Sequence, residues 1–187
     1  MAGDERETAV KPGVVYDCMI FLQAAVNPSG PAGACVNVAS VGVVQLFVSE
    51  ATIAEVGDVL TRPKIRKKFS TLTPGRVDEF LGWVKRIATT IPDVPEVFTL
   101  TRDPKDSKYL NLAIAAGAEL VVSRDNDLLD LMTSSGSDAE SFRTTHPTIR
   151  IIDPVAFLQT LPRPTGPAPD PAPPGPPKPD AQPDEAS

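Results

Sequence analysis

The chain has 187 residues, a formal net charge of −6 and 21 prolines, 11 of which lie in the last 26 residues. No run approaches the roughly 18 to 20 apolar residues of a membrane-spanning helix. The two cysteines lack zinc-type spacing and are too few for a disulfide scaffold. These features exclude a membrane partner and predict a soluble, cytoplasmic protein.

The composition divides the chain into three parts. Residues 1–13 form a polar, flexible leader, and residues 14–161 have the size of a single folded domain. Residues 162–187 form a Pro-rich tail, which we predict to be disordered because it has few apolar side chains to offset the entropy lost on folding. The folded domain keeps 14 basic and 17 acidic residues, so its net charge is only −3.

Short apolar runs alternate with longer segments of helical periodicity along this domain. In chain order they predict strand 14–16, helix 19–25, helix 34–41, strand 45–49, helix 50–60, helix 74–88, strand 97–100, helix 106–116, strand 120–123, helix 125–132, strand 149–152 and helix 154–161. Short, almost wholly apolar strands between helices indicate an α/β fold with a parallel sheet covered on both faces.

Acidic residues follow three of the predicted strands, at Asp17, Asp125 and Asp153. Active sites of parallel sheets lie beyond the carboxyl ends of the strands, where such residues would converge. Clustered carboxylates repel one another unless a cation neutralises them, and oxygen ligands suit Mg²⁺ or Mn²⁺. Two helices can add Glu55 and Asp106, which predicts a four-carboxylate site of Asp17, Glu55, Asp106 and Asp125.

Several of these carboxylates have an alternative role as helix caps. Asp153 directly precedes a proline, and we assign it to capping. Asp106 and Asp125 also stand at predicted helix starts, so either role fits them. Asp17 is different, because a carboxylate that follows three apolar strand residues is costly to bury without a partner.

Basic residues flank the predicted acidic site. Five positive charges lie within residues 62–68, and four more stand near the third and fourth carboxylates. They could bind phosphates of a nucleic acid without sequence preference, although a solvated charged surface is the alternative for residues 62–68. The candidate RNA-binding residues are Arg62, Lys64, Arg66, Lys67, Lys68, Arg102, Lys105, Lys108 and Arg124.

Five segments carry these features in a fixed order: Val14 to Asp17, Val48 to Val56, Leu60 to Ile65, Arg102 to Asp106 and Val121 to Leu129. Together they resemble the PIN-domain nucleases, in particular the bacterial branch that contains toxins of toxin–antitoxin pairs. The resemblance covers residues 14–161.

The resemblance implies a three-layer α/β/α PIN-like fold whose acidic cleft binds Mg²⁺ or Mn²⁺ and hydrolyses phosphodiester bonds, usually of RNA. The family's four acidic positions fall on Asp17, Glu55, Asp106 and Asp125, with Asp127 as an additional metal ligand. Ser123 matches a hydroxyl residue in a supporting role. The implied partners are an RNA substrate and an antitoxin protein, and we add a homodimer as a candidate assembly.

One position departs from the family pattern. The polar pair that commonly follows the first acid is Cys18-Met19 in this chain, and methionine cannot orient a carboxylate or a water molecule as an amide can. The alternative function is therefore a PIN-like module that binds RNA or a protein without turnover. A phosphatase of the haloacid dehalogenase type is disfavoured, because it needs an acid at the position of Met19.

Overall fold

Residues 11–161 of a computed structural model are described here, so the predicted leader up to residue 10 and the Pro-rich tail lie outside the described residues. The strands are β1 (Gly13–Tyr16), β2 (Gln45–Val48), β3 (Thr89–Thr90), β4 (Leu120–Val122) and β5 (Arg150–Ile152). The helices are α1 (Cys18–Val26), α2 (Pro31–Ser40), α3 (Glu50–Thr61), α4 (Pro63–Lys68), α5 (Pro74–Ile87), α6 (Ser107–Ala116), α7 (Asn126–Leu129), α8 (Ser137–Thr145) and α9 (Pro154–Thr160). Single 3₁₀ turns cover Pro104–Asp106 and Asp130–Met132.

The strands form one parallel sheet in the order β3-β2-β1-β4-β5. Val15 of the central strand β1 lies opposite Phe47 of β2 and Val121 of β4. Side chains alternate between the two faces of a strand, and both faces of β1 are buried: Val14 and Tyr16 belong to one apolar cluster and Val15 to the other. The apolar runs therefore reflect a sheet that is covered on both sides.

Helices cover the two faces of the sheet. Helices α1, α2, α3, α5 and α9 contribute to the apolar cluster on one face, and α6, α7 and α8 contribute to the cluster on the other. Tyr16 is the largest buried side chain of β1; its hydroxyl donates to the carbonyl of Cys35 at 2.7 Å and its ring meets that of Phe157 edge to face. The structure confirms the predicted three-layer α/β/α architecture.

Local sequence signals set several helix starts. Thr73 accepts a hydrogen bond from the amide of Arg76 and is followed by Pro74, so α5 begins as predicted. Asp153 accepts from the amides of Val155 and Ala156, which confirms its assignment as the cap of α9. Both cysteines are free thiols, as expected.

The prediction of a strand at residues 97–100 is wrong, because these residues are not part of the sheet. The third strand is instead the two-residue β3, which pairs with Phe47 and Val48 of β2. Asn111 of α6 forms hydrogen bonds with the backbone of this segment. Its Oδ1 accepts from the amides of Val97 and Phe98 at 3.0 and 2.9 Å, and its Nδ2 donates to the carbonyl of Phe98. Because a buried side chain satisfies these backbone groups, the segment needs no neighbouring strand.

Two helices were not predicted, α4 and α8. Helix α4 has no buried residue, and only Ala139 and Phe142 are buried in α8. Such sparse apolar positions give no clear helical period in the sequence. None of the helices within residues 11–161 combines the length and apolar character that crossing a membrane requires.

The role of Asn111 can be tested by stability measurements. We expect Asn111→Ala to lower the free energy of unfolding by about 2 kcal/mol, because it removes three partly buried hydrogen bonds to the backbone of Val97 and Phe98. Urea denaturation gives the stability, and hydrogen exchange should accelerate at the amides of Val97 and Phe98. Gln159→Ala, on the exposed surface of α9, is the control and should change neither. Unchanged exchange at both amides would contradict this role.

Candidate acidic active site

The topology brings the four predicted carboxylates to one edge of the sheet. Asp17 follows β1, and Asp125 follows the neighbouring strand β4. Glu55 lies in α3, which leaves the carboxyl end of β2, and Asp106 directly precedes α6, which runs back along the sheet to β4. This edge is the usual position of a ligand site in a parallel α/β fold.

Asp17 is a buried carboxylate whose two oxygens both accept hydrogen bonds. Asp17 is only 3% exposed. Its Oδ1 accepts a hydrogen bond from the amide of Ile20 at 2.9 Å, and its Oδ2 accepts one from the hydroxyl of Ser123. Burial raises the pKa of Asp17, and the hydrogen bonds from Ser123 and from backbone amides oppose that increase. Asp17 therefore caps α1 and is held in one orientation.

Ser123 links the first and fourth carboxylate positions. It is fully buried, and its oxygen accepts from the amide of Asp125 at 2.9 Å while its hydroxyl donates to Asp17. Asp125 is exposed and caps α7 by accepting from the amide of Asp127 at 2.7 Å. The cap role considered for Asp125 is thus present, and its location beside Ser123 keeps it at the acidic edge.

Glu55 is tied to α6. Its Oε2 accepts from the hydroxyl of Tyr109 and lies 2.8 Å from the ammonium of Lys108. The Tyr109 oxygen in turn accepts from the amide of Cys18 at 3.1 Å. A chain of contacts therefore runs from the residue after Asp17 through Tyr109 to Glu55.

Asp106 occupies the position before α6 but makes no capping hydrogen bond with its side chain. Partial burial raises its pKa to about 6, and the negative charges of Asp103, Asp125, Asp17 and Glu55 add to the increase. The predicted carboxylates thus share one electrostatic environment. The same surroundings, burial first, raise the pKa of the Cys18 thiol to about 11, which makes it a poor nucleophile.

The four site carboxylates are the groups that would bind a divalent cation at this edge. Four carboxylates offer oxygen ligands only, which suits Mg²⁺ or Mn²⁺. Burial is the main cause of the raised pKa of Asp106, and the neighbouring negative charges that add to it are ones that such a cation would neutralise. Within residues 11–161, no three acidic, histidine or cysteine side chains form a group that could hold a metal ion. The residues fit the cation in chemistry and charge, while their described positions keep Glu55 with Lys108 and Asp17 with Ser123.

Several of the residues that were predicted to bind metal or RNA form ion pairs within the protein. Asp127 pairs with Arg102 at 3.0 Å, and Arg102 also contacts Asp130. Arg62 pairs with Asp58 at 2.7 Å, and Lys108 pairs with Glu55. The other predicted cations are exposed and form no ion pair within the described part of the chain: Lys64, Arg66, Lys67, Lys68, Lys105 and Arg124.

Two clefts adjoin the basic helix α4. One, of about 410 Å³, lies between α1, α2 and α4 and is bordered by Met19, Lys68 and Arg124. The other, of about 430 Å³, is lined mainly by hydroxyl and basic side chains, including Arg66 and Lys67. Cationic side chains therefore border both clefts, and the first of them adjoins the acidic edge through Met19 and Arg124.

Tyr109 is the site residue that sequence reasoning missed. It is buried in α6, and the sequence predicted no role for it. The available signal was a hydroxyl three residues after Asp106, on the side of the helix that faces the sheet. The spacing of apolar residues along a helix cannot show that this hydroxyl forms a hydrogen bond with a glutamate 54 positions away in the sequence.

The burial of Asp106, together with the negative charges around it, predicts a pH-dependent stability. A carboxyl whose pKa is raised in the folded state weakens the fold once it ionises. Because Asp106 is only partly buried, solvent screening reduces the effect, and Asp106→Asn should increase the free energy of unfolding at pH 7.5 in EDTA by about 1 kcal/mol. The gain should shrink as the pH falls through about 6 and vanish below about 4, where the wild-type group becomes protonated in the unfolded state as well. Chemical denaturation across this range, with Glu119→Gln as an exposed control, measures it. A gain that does not depend on pH would contradict the explanation.

Comparison with known proteins places this geometry in a family. The PIN domain family model matches residues 13–127. An uncharacterized protein of Methanocaldococcus jannaschii is 26% identical over 127 residues, which are 68% of this chain and 79% of that protein. A chain of the crystal structure of VapBC2 from Rickettsia felis, bound to a DNA fragment from their promoter, superposes with a TM-score of 0.46 and 12% identity over 75% of this chain and 98% of that chain. With the family match covering more than half of its length, this chain belongs to the PIN-domain family, whose members are generally nucleases.

Proposed function

We propose that this PIN-domain protein is a metal-dependent endoribonuclease that hydrolyses phosphodiester bonds with Mg²⁺ or Mn²⁺. The observation that supports the proposal is the position of Asp17, Glu55, Asp106 and Asp125 at the carboxyl edge of the sheet. Burial raises the pKa of Asp106, and the charges of the other three carboxylates add to that increase. So much negative charge in one place is unfavourable for the fold and is typical of a site that binds a cation.

In this mechanism the chain's own residues hold and orient the acidic groups. Asp17, Glu55, Asp106 and Asp125 would bind the cation, which supplies a Lewis acid that stabilises charge developing on the phosphate. Ser123 fixes the orientation of Asp17, and the hydroxyl of Tyr109 fixes that of Glu55. Both supporting groups are buried, so the two carboxylates are positioned before substrate arrives.

RNA is the proposed substrate. The exposed cations of α4, together with Lys105 and Arg124, can contact phosphates on either side of the acidic edge. Aromatic residues make up only 5% of the chain, which favours recognition of the backbone over stacking on bases. The choice of RNA over DNA rests on the resemblance to PIN-domain ribonucleases.

A second candidate function is RNA or protein binding without turnover. The observation that favours it is Met19, which is 40% exposed beside the acidic edge where related proteins commonly carry a polar side chain. A thioether is only a weak hydrogen-bond acceptor and cannot orient a water molecule as an amide would.

Three further elements belong to the proposal: a cytoplasmic location, an antitoxin protein as partner and a homodimer as a candidate assembly. The resemblance to toxins of toxin–antitoxin pairs supports the antitoxin partner. Light scattering of the purified chain gives its oligomeric state. Co-purification with the product of a neighbouring small open reading frame tests the partner.

A cleavage assay tests the proposed activity. We expect single-stranded RNA to be cut in Mn²⁺ and not in EDTA, and the rate to fall by about 100-fold or more in Asp17→Asn and in Asp106→Asn. Asp153→Asn is the matched control, because it makes the same change at the same sheet edge in a residue that only caps α9, a role that asparagine preserves.

Two outcomes would contradict a nuclease at this site. RNA binding by the wild-type chain without cleavage would favour the binding module. Cleavage that survives both substitutions would place the activity outside the four-carboxylate site. Circular dichroism of each variant checks that the fold is retained.

The proposed RNA-binding surface can be tested through its salt dependence. We expect the triple variant Lys64→Gln, Arg66→Gln, Lys67→Gln to bind single-stranded RNA more weakly and to reduce the slope of log affinity against log salt by about 2, since each phosphate contact contributes about 0.7. Fluorescence anisotropy at several salt concentrations measures both. The control is Lys85→Gln, Arg86→Gln at the end of α5, and an equal loss in that control would contradict a specific surface on α4.

A further inference from the structure

Lys108 lies inside the acidic site, although its sequence context suggested a contact with RNA phosphate. It stands in the first turn of α6, two residues after Asp106. Its ammonium is 2.8 Å from Oε2 of Glu55, and the two side chains are only 28% and 19% exposed. The pair is therefore partly withdrawn from water, where its attraction is stronger than at an open surface.

A second contact holds the same ammonium. It lies 5.7 Å from the centroid of the Tyr109 ring, and the hydroxyl of Tyr109 donates to the same oxygen of Glu55 that Lys108 contacts. Lys108, Tyr109 and Glu55 thus form a small closed cluster. Within residues 11–161, this is the one ion pair made by any of the four site carboxylates.

We propose that Lys108 is a built-in counter-cation that competes with the divalent cation for Glu55. This inference rests on the proposed function, which assigns Glu55 as a ligand of that cation. The ammonium and a divalent cation repel each other and require the same carboxylate, so binding of one weakens binding of the other.

Displacement gives Lys108 a second role. Its flexible four-carbon stem allows the released ammonium to turn toward a phosphate oxygen of bound RNA. Binding of the divalent cation would then strengthen binding of RNA, and by linkage RNA would strengthen binding of the cation. Lys108 is in this sense a positioning residue that couples the two ligands.

The test measures Mn²⁺ binding to the full chain without RNA, by calorimetry and by the electron paramagnetic resonance signal of free Mn²⁺. We expect Lys108→Met to bind Mn²⁺ about tenfold more tightly than the wild-type chain, a change of about 1.4 kcal/mol. Lys108→Arg keeps the charge and should resemble wild type. Lys85→Met, an exposed residue of α5, controls for the general loss of a positive charge.

A double-mutant comparison separates competition for Glu55 from a general electrostatic effect. In a Glu55→Gln background, Lys108→Met should no longer increase Mn²⁺ affinity tenfold, because the shared carboxylate is gone. A second readout is RNA affinity with and without Ca²⁺, which should rise with Ca²⁺ in the wild-type chain and rise less in Lys108→Met.

The outcomes distinguish this inference from the proposed function. If the wild-type chain binds Mn²⁺ and Lys108→Met binds it no more tightly, the competition is refuted while the metal site stands. If Mn²⁺ binding is gained only in Lys108→Met, the competition is supported. If neither protein binds Mn²⁺, both the metal site and the inference fail.

Discussion

The burial of Asp17 is the constraint on which the site depends. A carboxylate withdrawn from water at the end of a central strand is tolerated only if its oxygens accept hydrogen bonds. The amide of Ile20 and the hydroxyl of Ser123 satisfy this need, and they belong to α1 and to the turn after β4. One buried charge therefore fixes the start of a helix and the ends of two neighbouring strands relative to one another.

Tyr109 connects the backbone next to Asp17 with Glu55 of α3. Its hydroxyl accepts from the amide of Cys18, which follows Asp17, and donates to Glu55 of α3. The acidic edge is thus held by buried polar contacts between α1, α3 and α6 as well as by apolar packing. Such networks are specific because every member must be satisfied, and losing one partner leaves a buried polar group unpaired.

The sequence predicted those features that depend on apolar periodicity and on chain topology. Buried strands such as β1 and β4, and the proline-capped starts of α5 and α9, follow from local patterns. The position of the four carboxylates at one edge of the sheet follows from the parallel order of the strands and from the helices that adjoin them. The segment 97–100 was mistaken for a strand because its apolar residues do not reveal that Asn111, distant in sequence, would take up its backbone hydrogen bonds.

Side-chain partnerships could not be predicted in the same way. Asp127 was grouped with the metal ligands and Arg102 with the phosphate-binding residues, whereas in the structure they pair with each other. Lys108 was grouped with the phosphate-binding residues and instead contacts Glu55. A charge run in sequence gives the number of charges but not the direction in which each side chain points.

The exposed basic residues lie apart from the acidic site, which explains how a chain with a net negative charge could bind a polyanion. The net charge of −6 includes the residues beyond the folded domain and the four site carboxylates. Screening limits exposed charges to a range of about 8 to 10 Å, so a bound phosphate responds to nearby residues more than to the sum over the chain. Those nearby residues are the exposed cations of α4, Lys105 and Arg124. The acidic edge itself remains repulsive to phosphate as long as its carboxylates are balanced by Lys108 alone. Neutralisation of that edge by a divalent cation is therefore the physical condition under which the basic surface and the proposed catalytic site can act on one nucleic-acid strand.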